Sequence, residues 1–223
     1  MLHVAMARID ANADAPEPHW LGDSERTRWT SLAPSARPAF VASRALLRRL
    51  LRSAIDVPSE AWDVSAEVGR EPVVRGPAHV RASLSHRLGW VAVAVSDAAV
   101  GVDIECARPS RGDHHERAAL MLAPEELPAW NALAPEARES ALLTRWTAKE
   151  AWFKAAPSQD AAWDFRRVVA RPCEPGRANV RAWSAPPLHV AVCCSDSRKL
   201  AEVECEGLDA ASCASTFWHV GQA

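Results

Sequence analysis

The stretch GWVAVAVSDAAVGVDIEC, residues 89–106, decides how this chain is to be read. Two valine-rich runs, 89–96 and 99–106, flank a break at Asp97 and Ala98. That is the pattern of two strands joined by a tight turn, so a β-hairpin is expected there. Alternation along the second run puts Val100, Val102 and Ile104 on one face and Asp103 with Glu105 on the other. Two carboxylates projecting side by side repel each other, and either solvent or a bound cation such as Mg2+ relieves the repulsion. On this stretch alone, a half-exposed strand with a solvated acidic face explains the pattern at least as well as an ion site.

Upstream, residues 3–9 read as a short strand. A Pro- and Asp-rich connection follows, then a basic helix from about Arg37 to Ile55 with an apolar stripe of Phe40, Leu46, Leu47, Leu50, Leu51 and Ile55. Arg44, Arg48 and Arg52 recur at four-residue spacing on a neighbouring face, most simply a solvated one. Pro72, Gly76 and Pro77 make 69–80 a loop with short extended pieces. Downstream come RAALMLA, a second helix starting at Pro124-Glu125-Glu126, and a long helix from about Glu136 to Ala156 ended by Pro157. Short strands are expected around Val168, at 180–183 and at 189–194. The fold class is therefore α/β (α+β), and residues 1–106 and 107–223 each run helix then strands, as a duplicated architecture would.

A length of 223 residues with 48% hydrophobic content is enough to bury a core. The formal charge of -2 gives no basic field for nucleic acid, and no apolar run approaches the roughly 20 residues of a membrane span. Six cysteines without CxxC or zinc spacing, and a start lacking a signal pattern, point to a reducing cytoplasm. Of 26 basic residues only Lys149, Lys154 and Lys199 are lysine. Where lysine is avoided, two within one short segment make ammonium chemistry more informative than positive charge alone.

That segment is RWTAKEAWFKA, 145–155, near the end of the long helix. Trp146, Glu150 and Lys154 are spaced i, i+4, i+8 and share a face. An ordinary Glu-to-Lys helix pair is the usual meaning of such spacing. A third element, SLSH at 83–86, sets Ser85 and His86 just before the turn into the valine-rich strands, near the same sheet end as the carboxylates.

Taken in order, Ser85-His86, then Gly101-Val102-Asp103-Ile104-Glu105, then Trp146-Thr147-Ala148-Lys149-Glu150-Ala151-Trp152-Phe153-Lys154, the three segments resemble the signature of the 4'-phosphopantetheinyl transferases. The likeness is to the larger monomeric type that activates peptide and polyketide synthases. SRALLR with Arg44 to Arg48, Gly69-Arg70-Glu71-Pro72 and LAPEEL at 122–127 extend it. The resemblance implies two similar halves related by a pseudo-twofold, with the active site in the cleft between them. It implies a monomer that moves phosphopantetheine from coenzyme A to a serine of an apo acyl or peptidyl carrier protein and releases 3',5'-adenosine bisphosphate. By the same likeness Asp103, Glu105 and Glu150 are the Mg2+ (or Mn2+) ligands. Ser85 and His86 contact phosphate, and Arg28, Arg44, Arg70 and Lys154 complete the coenzyme A site. Glu150, directly or through water, is the first choice for the base and Lys154 for neutralising phosphate charge, with the reverse assignment open. The chain departs from the family at Ala155-Ala156-Pro157-Ser158, where relatives commonly have a Gly-rich continuation.

Two rivals are a non-catalytic coenzyme A-binding module and a metal-dependent phosphohydrolase. The first sits poorly with three carboxylates and Lys154 all present. The second needs further ligands for a second metal, and His114-His115-Glu116 reads as surface.

Overall fold

The computed structural model describes residues 1–10, 17–55, 62–65, 67, 72–107, 114–156 and 164–223. Along them run β1 (Leu2–Arg8), α1 (Asp23–Ser31), α2 (Arg37–Ile55), β2 (Asp63–Val64), β3 (Val74–Arg75), β4 (Arg81–Arg87), β5 (Trp90–Ser96) and β6 (Val100–Cys106). Then come α3 (His114–Met121), α4 (Leu127–Asn131), α5 (Pro135–Ala155), β7 (Val168–Pro172), β8 (Val180–Ala185), β9 (Leu188–Cys194), α6 (Ser197–Glu202), β10 (Cys205–Glu206) and β11 (Ala214–Gln222). One sheet has the order β10-β1-β5-β4 and a second β6-β9-β8-β11-β7, with β2 and β3 paired separately. The α/β class read from the sequence is the class observed.

The hairpin expected across Asp97 and Ala98 is not formed. β5 has both edges taken, by β1 and by β4, whereas β6 pairs with β9 in the other sheet. The hairpin is instead β4–β5. Its loop is Leu88-Gly89, both at positive φ (46° and 82°), the twist a two-residue turn between antiparallel strands requires. RASLSHR carries too few apolar residues to show as a strand, which hid the true partner. Residues 97–98 carry the chain from one sheet to the next, with the Ala98 N–H donating to Ser96 Oγ at 3.1 Å. The boundary expected at 106–107 falls after β6, although β6 is hydrogen-bonded to the later strands, and β10 returns to pair with β1.

β5 reads as an unbroken apolar run because both its faces are covered. Val91, Val93 and Val95 pack against Leu46, Leu47, Leu50 and Leu51 of α2. Ala92 and Ala94 face the second sheet, joining Val4 and Met6 with Val102, Ile104, Val190 and Val192. Burying each leucine of the α2 stripe stabilises by about 1.5–3 kcal/mol. On the far face of the second sheet, Ala148 and Ala151 of α5 meet Ala182, Ala191 and Val220. The small alanines let α5 lie close to the strands. Among the described residues no helix is long and apolar enough to cross a membrane.

Edge strands β4 and β6 meet where the two sheets adjoin, and side chains link them. Ser83 Oγ accepts from the Val102 N–H at 3.0 Å, Ser85 Oγ donates to Asp103 Oδ1 at 2.8 Å, and Arg87 Nε pairs with Glu105 Oε2 at 3.0 Å. Positions 83, 85 and 87 alternate on one face of β4, so a period of two supplies all three rungs.

Candidate active site

The alternation read along β6 is present in three dimensions. Val100, Val102 and Ile104 are buried between the sheets, and the opposite face carries Gly101, Asp103 and Glu105 beneath α5. Gly101 sets the height of that helix: a Cβ there would lie 2.0 Å from the Ala151 carbonyl oxygen and 2.6 Å from the Ala155 nitrogen. With α5 so close, Glu150 and Lys154, one turn apart, come over the two strand carboxylates.

Asp103 is 5% exposed. Its Oδ1 accepts from Lys154 Nζ at 2.7 Å and from Ser85 Oγ at 2.8 Å, while its Oδ2 is buried with no hydrogen-bond partner among the described residues. Glu105 holds Arg87. Its carboxyl is raised above the usual carboxylate range, first by burial and then by the Asp103 charge, against the lowering effect of Arg87 and of a hydrogen bond with Trp146. Glu150 is raised to about 7, again first by burial, then by Asp103 and Glu105, with Lys154 opposing. Trp146 packs on Phe165 with ring centroids 4.3 Å apart.

Burial and the neighbouring Asp103 charge therefore raise Glu105 and Glu150, and two cations, Lys154 and Arg87, offset only part of the negative charge. Among the described residues no set of three His, Cys, Asp or Glu side chains is already gathered as an ion's ligands; the Lys154 ammonium lies on Asp103 instead. The donor set nonetheless suits a hard divalent cation. All three donors are carboxylate oxygens, one buried oxygen lacks a partner among the described residues, and burial followed by the Asp103 charge pushes Glu105 and Glu150 toward their neutral forms.

Lys149, next to Glu150 in sequence, faces the opposite way and is wholly buried. Its ammonium bonds Glu126 Oε2, the Met121 carbonyl oxygen at 2.9 Å and the Phe165 carbonyl oxygen at 3.2 Å. Glu126 also accepts from the Ala123 and Ala170 N–H groups at 2.7 and 3.0 Å. This buried junction fixes the rotation of α5, and with it the direction of Glu150.

The remaining candidates divide. Ser85 joins the carboxylates. His86, exposed on the other face of β4, is lowered from its ordinary value by partial burial and then by the Lys154 and Arg87 charges. Arg28, in the last turn of α1, donates to Ser31 Oγ at 3.4 Å. Arg44 is not on a solvated ladder: it is buried over the Phe40 ring and pairs with the buried Glu25 of α1, as does Arg48 through a forked contact. Arg52 alone of the three is exposed, so the ladder reading holds only there. Arg70 lies outside the described residues, as do Gly69, Glu71, Pro157 and Ser158. Of the expected surface cluster, His115 packs edge-on against Trp130, with centroids 5.2 Å apart.

Sequence reasoning passed over Arg87 and the Lys149–Glu126 junction. The period-two set Ser83, Ser85, Arg87 was the available signal for the first, while nothing in the spacing of residues 126 and 149 announced the second.

Residues 99–207, from the start of β6 past the end of β10, match the family model described as the 4'-phosphopantetheinyl transferase superfamily. The chain is also 30% identical over 148 residues to the 4'-phosphopantetheinyl transferase psf-1 of Bacillus pumilus. That match covers 66% of this chain and 60% of the relative, so the chain spans less than two thirds of the relative's length.

Proposed function

The chain belongs to the 4'-phosphopantetheinyl transferase superfamily, and on that premise we propose that it transfers the 4'-phosphopantetheine group of coenzyme A to a serine of an apo acyl or peptidyl carrier protein. The observation that carries the proposal is the convergence of Asp103, Glu105, Glu150 and Lys154 across the contact between α5 and β6. Asp103, Glu105 and Glu150 would hold Mg2+ or Mn2+, and when bound the cation neutralises charge on the coenzyme A pyrophosphate.

The rest falls to the chain's own groups. The carrier serine oxygen forms a bond to the β-phosphorus as the bond to the departing 3',5'-adenosine bisphosphate breaks, and the hydroxyl proton passes to the Glu150 carboxylate. An alcohol is too weakly acidic to react unaided, so a carboxylate positioned to take its proton, directly or through water, is needed. Lys154, one turn further along α5, places an ammonium beside the phosphates and offsets the negative charge of the leaving group. Ser85 keeps Asp103 in position. His86, exposed at the end of β4, and Arg28 with Arg70 serve the phosphates at the nucleotide end of coenzyme A. Arg44 contributes there by holding α1, which carries Arg28, against α2. The protein is read as a cytoplasmic monomer of two halves whose cleft lies at the meeting of the sheets, acting on carrier domains of secondary metabolism.

Incubation with Mg2+, coenzyme A and apo carriers from fatty-acid, polyketide and peptide synthesis, followed by mass spectrometry of the carriers, tests the assignment. At least one carrier is expected to gain the phosphopantetheine mass, and no gain on any of them overturns it. Glu150→Gln should slow transfer by about 100-fold or more while far-UV circular dichroism stays unchanged.

A further inference from the structure

The rung between Arg87 and Glu105 differs from the other two that join β4 to β6. Ser83 and Ser85 are buried, and their hydroxyls bond groups that are themselves buried. Arg87 is at the strand's open end with its side chain 47% exposed, and Glu105, on which it rests, is 15% exposed. This rung can open without disturbing the core.

It also lies on an oxygen that the proposed function requires. Glu105 cannot give the same lone pairs to a guanidinium and to a divalent cation in full. On the other strand carboxylate, Lys154 occupies Asp103 Oδ1 while Oδ2 has no partner. The negative charge of the cluster is thus offset in part by two single charges at separate points, and a divalent cation brings the same positive charge to one point. Once it does, the guanidinium loses its partner at the rim of the site, within electrostatic reach of His86. A planar fork of N–H donors so placed matches phosphate oxygens.

We infer that Arg87 exchanges partners: it neutralises Glu105 when the ion is absent, competes with the divalent cation for that carboxylate, and once displaced binds a phosphate of the coenzyme A substrate. The inference rests on the metal assignment given above for Asp103, Glu105 and Glu150.

The test needs no turnover. Mn2+ binding to the full chain, without coenzyme A, is followed by electron paramagnetic resonance for the unmodified protein, Arg87→Ala and Arg87→Lys. Arg87→Ala should bind Mn2+ about two- to fivefold more tightly, the size expected of a half-exposed ion pair. The Arg87 Nε–H resonance, assigned by its loss in Arg87→Lys, should shift when Mg2+ is added and shift again when 3',5'-adenosine bisphosphate follows. A merely structural arginine would move at neither step. In turnover, the KM for coenzyme A should rise in Arg87→Ala more than kcat falls. Equal Mn2+ affinity in Arg87→Ala, or an Nε–H resonance unmoved by Mg2+, overturns the exchange and leaves the metal assignment standing. If the unmodified protein binds no Mn2+, the metal assignment falls and the exchange with it.

Discussion

At the scale of single residues, the smallest one in GVDIE has the largest geometric consequence. Gly101 has ordinary strand backbone, so its lack of a side chain serves proximity rather than a special turn. Gly101→Ala should force α5 away from β6, costing about 1–3 kcal/mol of stability as an overpacked contact. Because Glu150 and Lys154 ride on that helix, transfer should fall by about 100-fold, more than the stability loss alone explains. Thermal melting beside carrier-modification kinetics separates the two, and unchanged kinetics in a folded variant would refute the link. Asp103 and Glu105 were legible in the sequence because a strand's period of two is rigid and the intervening residues are all aliphatic or glycine. The environment of Glu150 was not, since a helix spacing of four names a face without naming what lies opposite. Arg44 was misread for a related reason: the partner that buries it, Glu25, sits on a helix whose apolar residues are too few to show in the sequence.

At the scale of elements, α5 is clamped from both sides, by the β6 contact below and by the Lys149–Glu126 junction behind. Glu126→Ala would leave an ammonium buried without its counter-ion, and a loss of about 3–5 kcal/mol in denaturant unfolding is expected. Replacing the pair together, with Lys149→Met and Glu126→Leu, should recover much of that loss, because two apolar side chains remove both desolvation costs. If the double variant is as unstable as the single one, the junction is acting through its backbone acceptors at Met121 and Phe165 instead. The long helices were placed from the sequence nearly to the residue, since each carries a leucine stripe or a proline boundary. α1, α6, β2, β4, β10 and β11 were not found, and each is polar or short enough for tertiary contacts to decide its form. The strand pairing around Asp97 went wrong for one physical reason: proximity in sequence favours a hairpin only when an edge of the first strand is still free, and both edges of β5 are occupied.

At the scale of the whole molecule, acid should weaken the fold through His189. This histidine on β9 is 1% exposed, its Nδ1 lies 3.0 Å from Thr144 Oγ1 and 3.2 Å from Ser184 Oγ, and burial lowers it to about 4 from the ordinary 6.5. Above pH 6.5 the ring is neutral folded or unfolded and contributes nothing to the pH dependence. Between 6.5 and 4 the unfolded chain takes up the proton and the folded one does not, so stability falls by up to about 1.4 kcal/mol per pH unit. Asparagine keeps a polar atom near the Nδ1 position without titrating, and urea midpoints for His189→Asn should show a shallower decline across that window. A slope identical to that of the unmodified protein would assign the acid sensitivity elsewhere. The α/β class was legible at this scale from alternating helix and strand signals. The division of strands between sheets was not, since β6 and β10 each join the sheet opposite to their place in the sequence.

The three rungs between β4 and β6 have a meaning beyond holding two edges together. A backbone ladder offers the same amide and carbonyl at every step, so a slip of two residues finds an equivalent bond at each position. Here the successive rungs are hydroxyl to amide, hydroxyl to carboxylate and guanidinium to carboxylate. Moved by two residues, a serine would meet Glu105 and the arginine would overshoot it. The alignment of the two sheets is thus spelled in three different chemical letters that read correctly in a single frame, and that frame is the one that brings Ser85 to Asp103.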